Sequence, residues 1–168
     1  RTPQVVLGVS SFTMPHYKEV ADLKGKKIGV QTYGSPSQRM ASLVLLQGGL
    51  TTGDVNLVAV GSGDGALAAL RSGEIDAISN SDPVMTILEH GGDVKIISDS
   101  RALKGAMEIF GGPMPAACLY ASTDFVQKNP NTCQALTNGI VHSLKWLQTA
   151  GPRDILQVVP RSYWLGGR

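Results

Sequence analysis

The sequence predicts an α/β fold with a mainly parallel sheet flanked by helices, and three observations carry that prediction. Between residues 27 and 98, short apolar runs alternate with amphipathic ones in the order strand, helix, strand, helix, strand, helix, strand. That order is the pattern of crossover units that place helices on both faces of a sheet. Glycine and proline punctuate it where a helix must stop or a turn must form, at Gly48-Gly49, Gly73, Asp82-Pro83 and Gly91-Gly92. Finally, the 168 residues are 42% hydrophobic and 17% charged. That composition is globular, and a chain of this length buries roughly 70% of its unfolded surface without metal or disulfide.

In chain order, residues 4–10 are a Val-rich run that reads as a buried strand, and residues 12–17, with Pro15, read as a loop. One helical turn at residues 20–23 is stopped by Gly25, and residues 27–32 form the next strand. In the helix at 37–47, Met40, Leu43, Val44 and Gln47 share a face at helical spacing. A strand at 56–60 leads to a helix at 65–72 with Leu67 and Leu70 inward, then a strand at 75–79. Pro83 suits the first position of a helix that runs to about His90, because its missing N–H would have no partner there. A strand at 94–98, an irregular stretch at 99–115 and a sixth strand at 116–121 follow. The rest is helical: a short turn at 122–129, and a long helix to about Thr149 capped by Asn131 or Thr132. That helix carries the stripe Leu136, Ile140, Leu144 and Leu147. A last helix at 153–158 precedes a Gly-rich end.

Several function classes are disfavoured. The 15 basic and 13 acidic side chains are interspersed, and Lys24, Lys26 and Lys27 make too short a basic group for a nucleic-acid footprint. Aromatics, at 5%, are too few for base-stacking platforms. No apolar run approaches the ~20 residues that span a bilayer. The residues that open the chain do not read as a signal peptide, which predicts that it begins within a longer protein. Cys118 and Cys133 lack metal-ligand spacing and read as small buried apolar residues. His16, His90 and His142 suggest no metal site. Neither a nucleophile–base pair nor a paired-carboxylate site can be assigned, so no catalytic residue and no cofactor are predicted.

Binding signals lie in the turns where strands end and helices begin. At Thr32, Tyr33, Gly34, Ser35, Pro36 and Ser37 a strand gives way to a Gly-Ser turn and a helix start. Backbone N–H groups of Ser37, Gln38 and Arg39 then point out of the sheet's carboxyl edge, where free donors and the helix dipole favour an anionic group. Arg39 either adds charge there or points to solvent, and Ser35 or Ser37 equally serves as a helix cap. Gly61-Ser62-Gly63-Asp64 is a second such turn, without the spacing of a dinucleotide or phosphate loop, and Asp64 reads first as a cap. Asn80, Ser81 and Asp82 form the third, with Asp82 a cap before Pro83 or a ligand contact. All three turns are predicted at one sheet edge, where open α/β folds bind ligands.

The run Ala21-Asp22-Leu23-Lys24-Gly25-Lys26-Lys27-Ile28-Gly29-Val30 resembles the opening of the second lobe in periplasmic solute-binding proteins of the nitrate, sulfonate and taurine type. Gly34-Ser35-Pro36-Ser37, the stretch from Gly65 to Ala77, and Tyr120-Ala121 with Asp124-Phe125 and Asn129-Pro130 resemble further family segments in the expected order. The turn after Ile78 often carries tryptophan in that family; here it reads Ser79-Asn80-Ser81-Asp82-Pro83.

The resemblance implies a type II periplasmic-binding-protein-like fold, with one complete lobe and a remnant of the other. It implies residues 1–19 as lobe-one remnant and first crossover, 20–110 as lobe two, and 111–168 as second crossover and helices returning to lobe one. It also implies hinge closure on a small anionic solute such as a sulfonate, nitrate or taurine-like molecule, docking to an ABC transporter permease, and a periplasmic or other extracytoplasmic location. Gly112, in Gly111-Gly112-Pro113-Met114-Pro115, falls where that family crosses between lobes, so it is a hinge or cleft candidate. Self-association of a lobe lacking its partner strands is a further expectation. The same resemblance extends to thiamine-pyrimidine synthesis enzymes and to the sensing half of transcription regulators, which fold likeness alone does not separate.

Overall fold

The structure, a computed structural model, describes residues 2–160. They divide into two compact units, one running to Ala116 and one starting at Ala117. The first contains a five-stranded sheet of β1 (Val5–Ser10), β2 (Lys27–Val30), β3 (Asn56–Ala59), β4 (Ala77–Ser81) and β5 (Val94–Asp99), in spatial order β3-β2-β4-β1-β5. β2 is parallel to β3 and β4, and β1 is antiparallel to β4 and β5. Every strand except β1 therefore points the same way.

That exception corrects the expected domain boundary. Residues 5–10, expected to belong with the other lobe, are built into this sheet, with Val5 opposite Ser81 and Val6 opposite Asp99. All six are buried. Val5, Leu7 and Val9 face one apolar layer and Val6 the opposite one, so this run needs cover on both faces.

Four helices supply most of that cover. α1 (Pro36–Gln47) and α4 (Leu103–Phe110) lie on the face of Leu7, Ile28 and Ala77. α2 (Asp64–Arg71) and α3 (Val84–His90) lie on the face of Val6 and Ile78. α1 buries Met40, Ala41, Val44 and Leu45; full burial of a side chain the size of Met40 or Leu45 contributes roughly 1.5–3 kcal/mol. Gln47, expected on that face, is exposed at the helix end and donates through Nε2 to the carbonyls of Glu108 and Ile109 in α4.

α4 was expected to be irregular chain. Its apolar face is only Ala106 and Ile109 deep, and Gly105 weakens the helical signal. Ser10 anchors the turn after β1, its Oγ accepting from the N–H groups of Phe12 and Thr13. Among the described residues, Thr13 Oγ1 is buried without a hydrogen-bond partner. A lone unsatisfied hydroxyl costs stability that an isosteric methyl does not. Thr13→Val is therefore expected to raise stability by about 1 kcal/mol, read as a higher urea midpoint at unchanged slope.

The second unit holds α5 (Thr123–Lys128), α6 (Pro130–Trp146) and α7 (Pro152–Val158). None of them buries a residue, and Leu136, Ile140, Leu144 and Leu147 are all at least 38% exposed. The cap expected at Asn131 or Thr132 falls instead at Asn129, with Pro130 as the first helical residue. Cys118 is exposed and Cys133 half-buried, which corrects their reading as buried residues, because this unit has no core to receive them. The strand expected at 116–121 is not formed. A strand exists only with a ladder partner, and none of the five strands pairs with it. The Gly-rich end lies outside the described residues.

Candidate functional site

The sheet edge at the carboxyl ends of β2, β3 and β4 gathers the predicted turns. Parallel register sets Val30 beside Ala59 and Ser79, so the chain leaves all three strands at one level. After β2, Gly34 adopts φ +78, a backbone that an L side chain resists. Ser35 then takes the N-cap position and Pro36 the first helical one, with Ser35 Oγ accepting from Gln38 N at 3.4 Å. Gln38 closes the turn in return, its Oε1 accepting from Gly34 N at 2.6 Å. Arg39 N donates to Ser35 O. Among the described residues, the Ser37 N–H has no hydrogen-bond partner. Ser37 is fully buried, so this N–H lies beneath the surface of the edge.

Ser37 and Asn80 have side-chain roles different from direct contact. Ser37 is fully buried; its Oγ accepts from Gln31 N at 2.9 Å and lies 2.8 Å from Ser35 Oγ, while its carbonyl accepts from Ser79 Oγ at 2.8 Å. Asn80, also fully buried, donates through Nδ2 to Gly61 O at 2.9 Å and accepts at Oδ1 from Ser81 N at 2.9 Å. Gln31 Nε2 donates to Ser81 Oγ at 2.8 Å. These bonds stitch the three turns into one surface, and both Ser37 and Asn80 have their polar side-chain atoms engaged within the protein.

Thr32, Tyr33, Gly34 and Arg39 are exposed at this edge, with the Tyr33 hydroxyl donating to Leu57 O at 3.3 Å. Pro83, expected as the first helical residue, is the N-cap of α3, and Asp82 precedes it; the Asp82 Oδ1 nevertheless accepts from Thr86 N at 3.0 Å and from Thr86 Oγ1 at 2.6 Å. Asp64, by contrast, is the first residue of α2, whose N-cap is Gly63, so its expected capping role is corrected. Gly112 is not brought to this edge. It follows α4, whose last carbonyls bond the C-terminal end of α1 at the far side of the sheet. Two concavities, of about 590 Å³ beside α4 and β5 and about 570 Å³ along α6 and α7, are lined by none of the turn residues.

Arg101, missed in the sequence, follows β5 at the same edge. Its guanidinium donates to both Asp99 oxygens (Nε to Oδ1 3.1 Å, Nη2 to Oδ2 2.8 Å), to Glu89 at 3.0 Å and to Asp82 at 3.4 Å. Burial opposes the Asp99 charge, but side-chain and backbone hydrogen bonds from Arg101 outweigh it and hold that carboxyl below its usual range. The available signal was a charged pair, Asp99-Ser100-Arg101, closing a fourth parallel strand.

With this geometry established, comparison with known proteins places the chain. It belongs to the NMT1-like family, whose model matches residues 8–159. Its fold is the α/β fold of periplasmic binding proteins. A protein of solved structure from Bordetella bronchiseptica RB50 is 54% identical with a TM-score of 0.91, over 99% of this chain and 52% of that one. The periplasmic aliphatic sulphonate-binding protein SsuA from Escherichia coli is 26% identical with a TM-score of 0.63, over 79% of this chain and 39% of that one. A putative sulfonate ABC transporter protein from Methylobacillus flagellatus KT, described as periplasmic sulfonate-binding protein SsuA, is 28% identical with a TM-score of 0.60, over 94% and 46%. This chain thus spans about half or less of the length of each. No curated protein sequence matches it. Among the described residues no helix is long and apolar enough to cross a membrane.

Proposed function

We propose that this chain supplies a solute-facing lobe of a substrate-binding protein for an ABC-type importer, capturing a small organic anion of the sulfonate class without altering it. What supports this reading most is the edge where the turns after β2, β3 and β4 meet, with Thr32, Tyr33 and Arg39 exposed on it. A sulfonate oxygen is an acceptor suited to the exposed Arg39 guanidinium, and a charge-assisted bond of this kind contributes roughly 1.5–3 kcal/mol. Likeness to two SsuA proteins supports the same reading. In this reading residues 111–115 form the crossover between lobes and α6 returns to the other lobe. The loaded protein delivers its solute to a membrane permease outside the cytoplasmic membrane.

The test is calorimetry on the full-length protein with ethanesulfonate, taurine and nitrate in turn, followed by recovery of the ligand. Saturable binding of a sulfonate, recovered unchanged, is the expected result. Chemical alteration of the ligand would instead favour the enzyme reading, and no binding of any of the three would sink the anion assignment.

We also propose that residues 1–168, expressed alone, self-associate through the exposed stripe of α6. Light scattering is expected to show dimers or larger species, which Leu136→Glu with Leu144→Glu returns to monomers. A monomer at high concentration with the native stripe would disprove this.

A further inference from the structure

The end of the first unit opposite the three turns presents a large aromatic ring to water. β1 runs antiparallel to β4 and β5, with Val9 opposite Ala77 and Ser10 opposite Val94, so the turn after β1 lies where those two strands begin. That turn is fixed. Ser10 is buried, and its Oγ accepts from Phe12 N and Thr13 N, both at 3.2 Å. Ser11 N donates to Asp93 O at 2.9 Å, and Met14 N to Ser10 O at 3.0 Å. On this turn Phe12 is 78% exposed. Beside it, between Leu70, Arg71, Gly92 and Asp93, is a hollow of about 400 Å³, larger than the ~150 Å³ that holds a benzene molecule. In its wall Arg71 Nε and Nη2 both reach the same Asp93 oxygen, Oδ2, at 2.9 Å. Among the described residues, Arg71 Nη1 and Asp93 Oδ1 have no partner, so a spare donor and a spare acceptor stand side by side.

We infer that this end of the unit binds a second copy of the chain across a two-fold axis, the Phe12 ring of each copy seated in the hollow of the other. A patch that sets a knob beside a hole and a cation beside an anion is complementary to itself. Rotation by 180° brings Arg71 of each copy against Asp93 of the other, where Nη1 and Oδ1 supply each other's missing bond. Any other partner needs a matching ring, cation and anion of its own, whereas a second copy brings all three by symmetry. Aromatic and arginine side chains are enriched at protein interfaces, and a ring already held on a rigid turn loses little freedom on binding. Seven residues line the patch, against the roughly 20–30 per side of a standard interface, so the dimer is weak and exchanges with monomer. Pairing at this end leaves the opposite, solute-facing edge open, and the inference does not depend on what that edge binds.

The experiment is sedimentation equilibrium on the full-length, ligand-free protein over a wide range of concentration. It compares the native sequence with Phe12→Ser, Arg71→Asp, and Arg71→Asp combined with Asp93→Arg. Native protein is expected to pass from monomer to dimer as concentration rises. Phe12→Ser, at an exposed position outside the core, is expected to weaken the dimer about tenfold or more with the urea midpoint unchanged. Arg71→Asp is expected to weaken it as well, and the combined exchange, which restores both the internal pair and its self-complementarity, to recover the dimer. Use of the full-length protein keeps this dimer apart from the association expected of residues 1–168 alone through α6. A native protein that stays monomeric overturns the inference, as does a dimer indifferent to Phe12→Ser. A monomer in which the Phe12 turn is protected from hydrogen exchange only after a membrane permease is added assigns the patch to that partner and overturns it too.

Discussion

Gly105→Ala is expected to lower the stability of the first unit by about 3 kcal/mol, against the usual sign for this substitution. In an exposed helix interior the same change gains about 1 kcal/mol, because alanine loses less backbone freedom on folding. At Gly105, however, a Cβ would overlap the Asp99 carbonyl oxygen. That obstacle is backbone at the end of β5, and it cannot rotate away as a flexible side chain does. Relief requires α4 to lift, which uncovers Ala106 and Ile109 and strains the contacts from Gln47. Urea unfolding followed by tryptophan-independent circular dichroism measures the loss. Gly65→Ala in α2, whose Cβ would meet nothing nearer than 3.6 Å, is expected to show none. A stable Gly105→Ala protein would mean that α4 rides more loosely on β5 than this packing implies.

Asn80→Ala is expected to cost about 2–4 kcal/mol, since it leaves both the Gly61 carbonyl and the Ser81 N–H without their partner in a buried place. Asn80→Asp should fare no better. It keeps an acceptor for Ser81 N but sets a second acceptor against Gly61 O. In the full-length protein, solute affinity should fall in step with stability if Asn80 holds the turns. Lost affinity at native stability would make it a direct ligand contact instead, the role considered for it from sequence.

The contrast between α1 and α4 explains how far the sequence could be read. Gly34, Ser35 and Pro36 each carry local chemistry that sets a turn, a cap and a first helical position, so the start of α1 is legible without knowing its neighbours. The crossovers from β2 to β5 were legible for a related reason, because apolar periodicity and glycine stops are local signals. α4 is short, carries Gly105 for the sake of a tertiary contact, and so hides its periodicity. β4 begins at Ala77, two residues later than expected, because Ile75 is buried under the α2 helices' layer and not laddered.

The site was legible as a place and less so as a set of roles. Three strand-end turns at one edge follow from topology, and the structure puts them there. Whether a serine or asparagine in such a turn faces solvent or is consumed internally depends on partners distant in sequence. Ser37 meets Ser79, Asn80 meets Gly61, and Gln31 meets Ser81. Arg101 escaped notice because its meaning lies in three carboxylates drawn from different elements.

The placement of β1 has a consequence for how this unit comes together. It is first in the chain, yet its ladder partners are Ser81 in β4 and Asp99 in β5. β4 must be made before β1 can pair, and β5, which pairs with β1, joins after it. Synthesis at roughly 5–20 residues per second leaves an unpaired Val-Val-Leu-Gly-Val segment waiting several seconds. Loop closure across that span costs entropy before any contact returns it, which slows folding. β2, β3 and β4, joined by local crossovers, can assemble meanwhile into a three-stranded platform on which β4 is an edge still to be covered. The first strand of this unit thus joins the sheet after the three that follow it, and until then the edge of β4 is open to pairing with another chain.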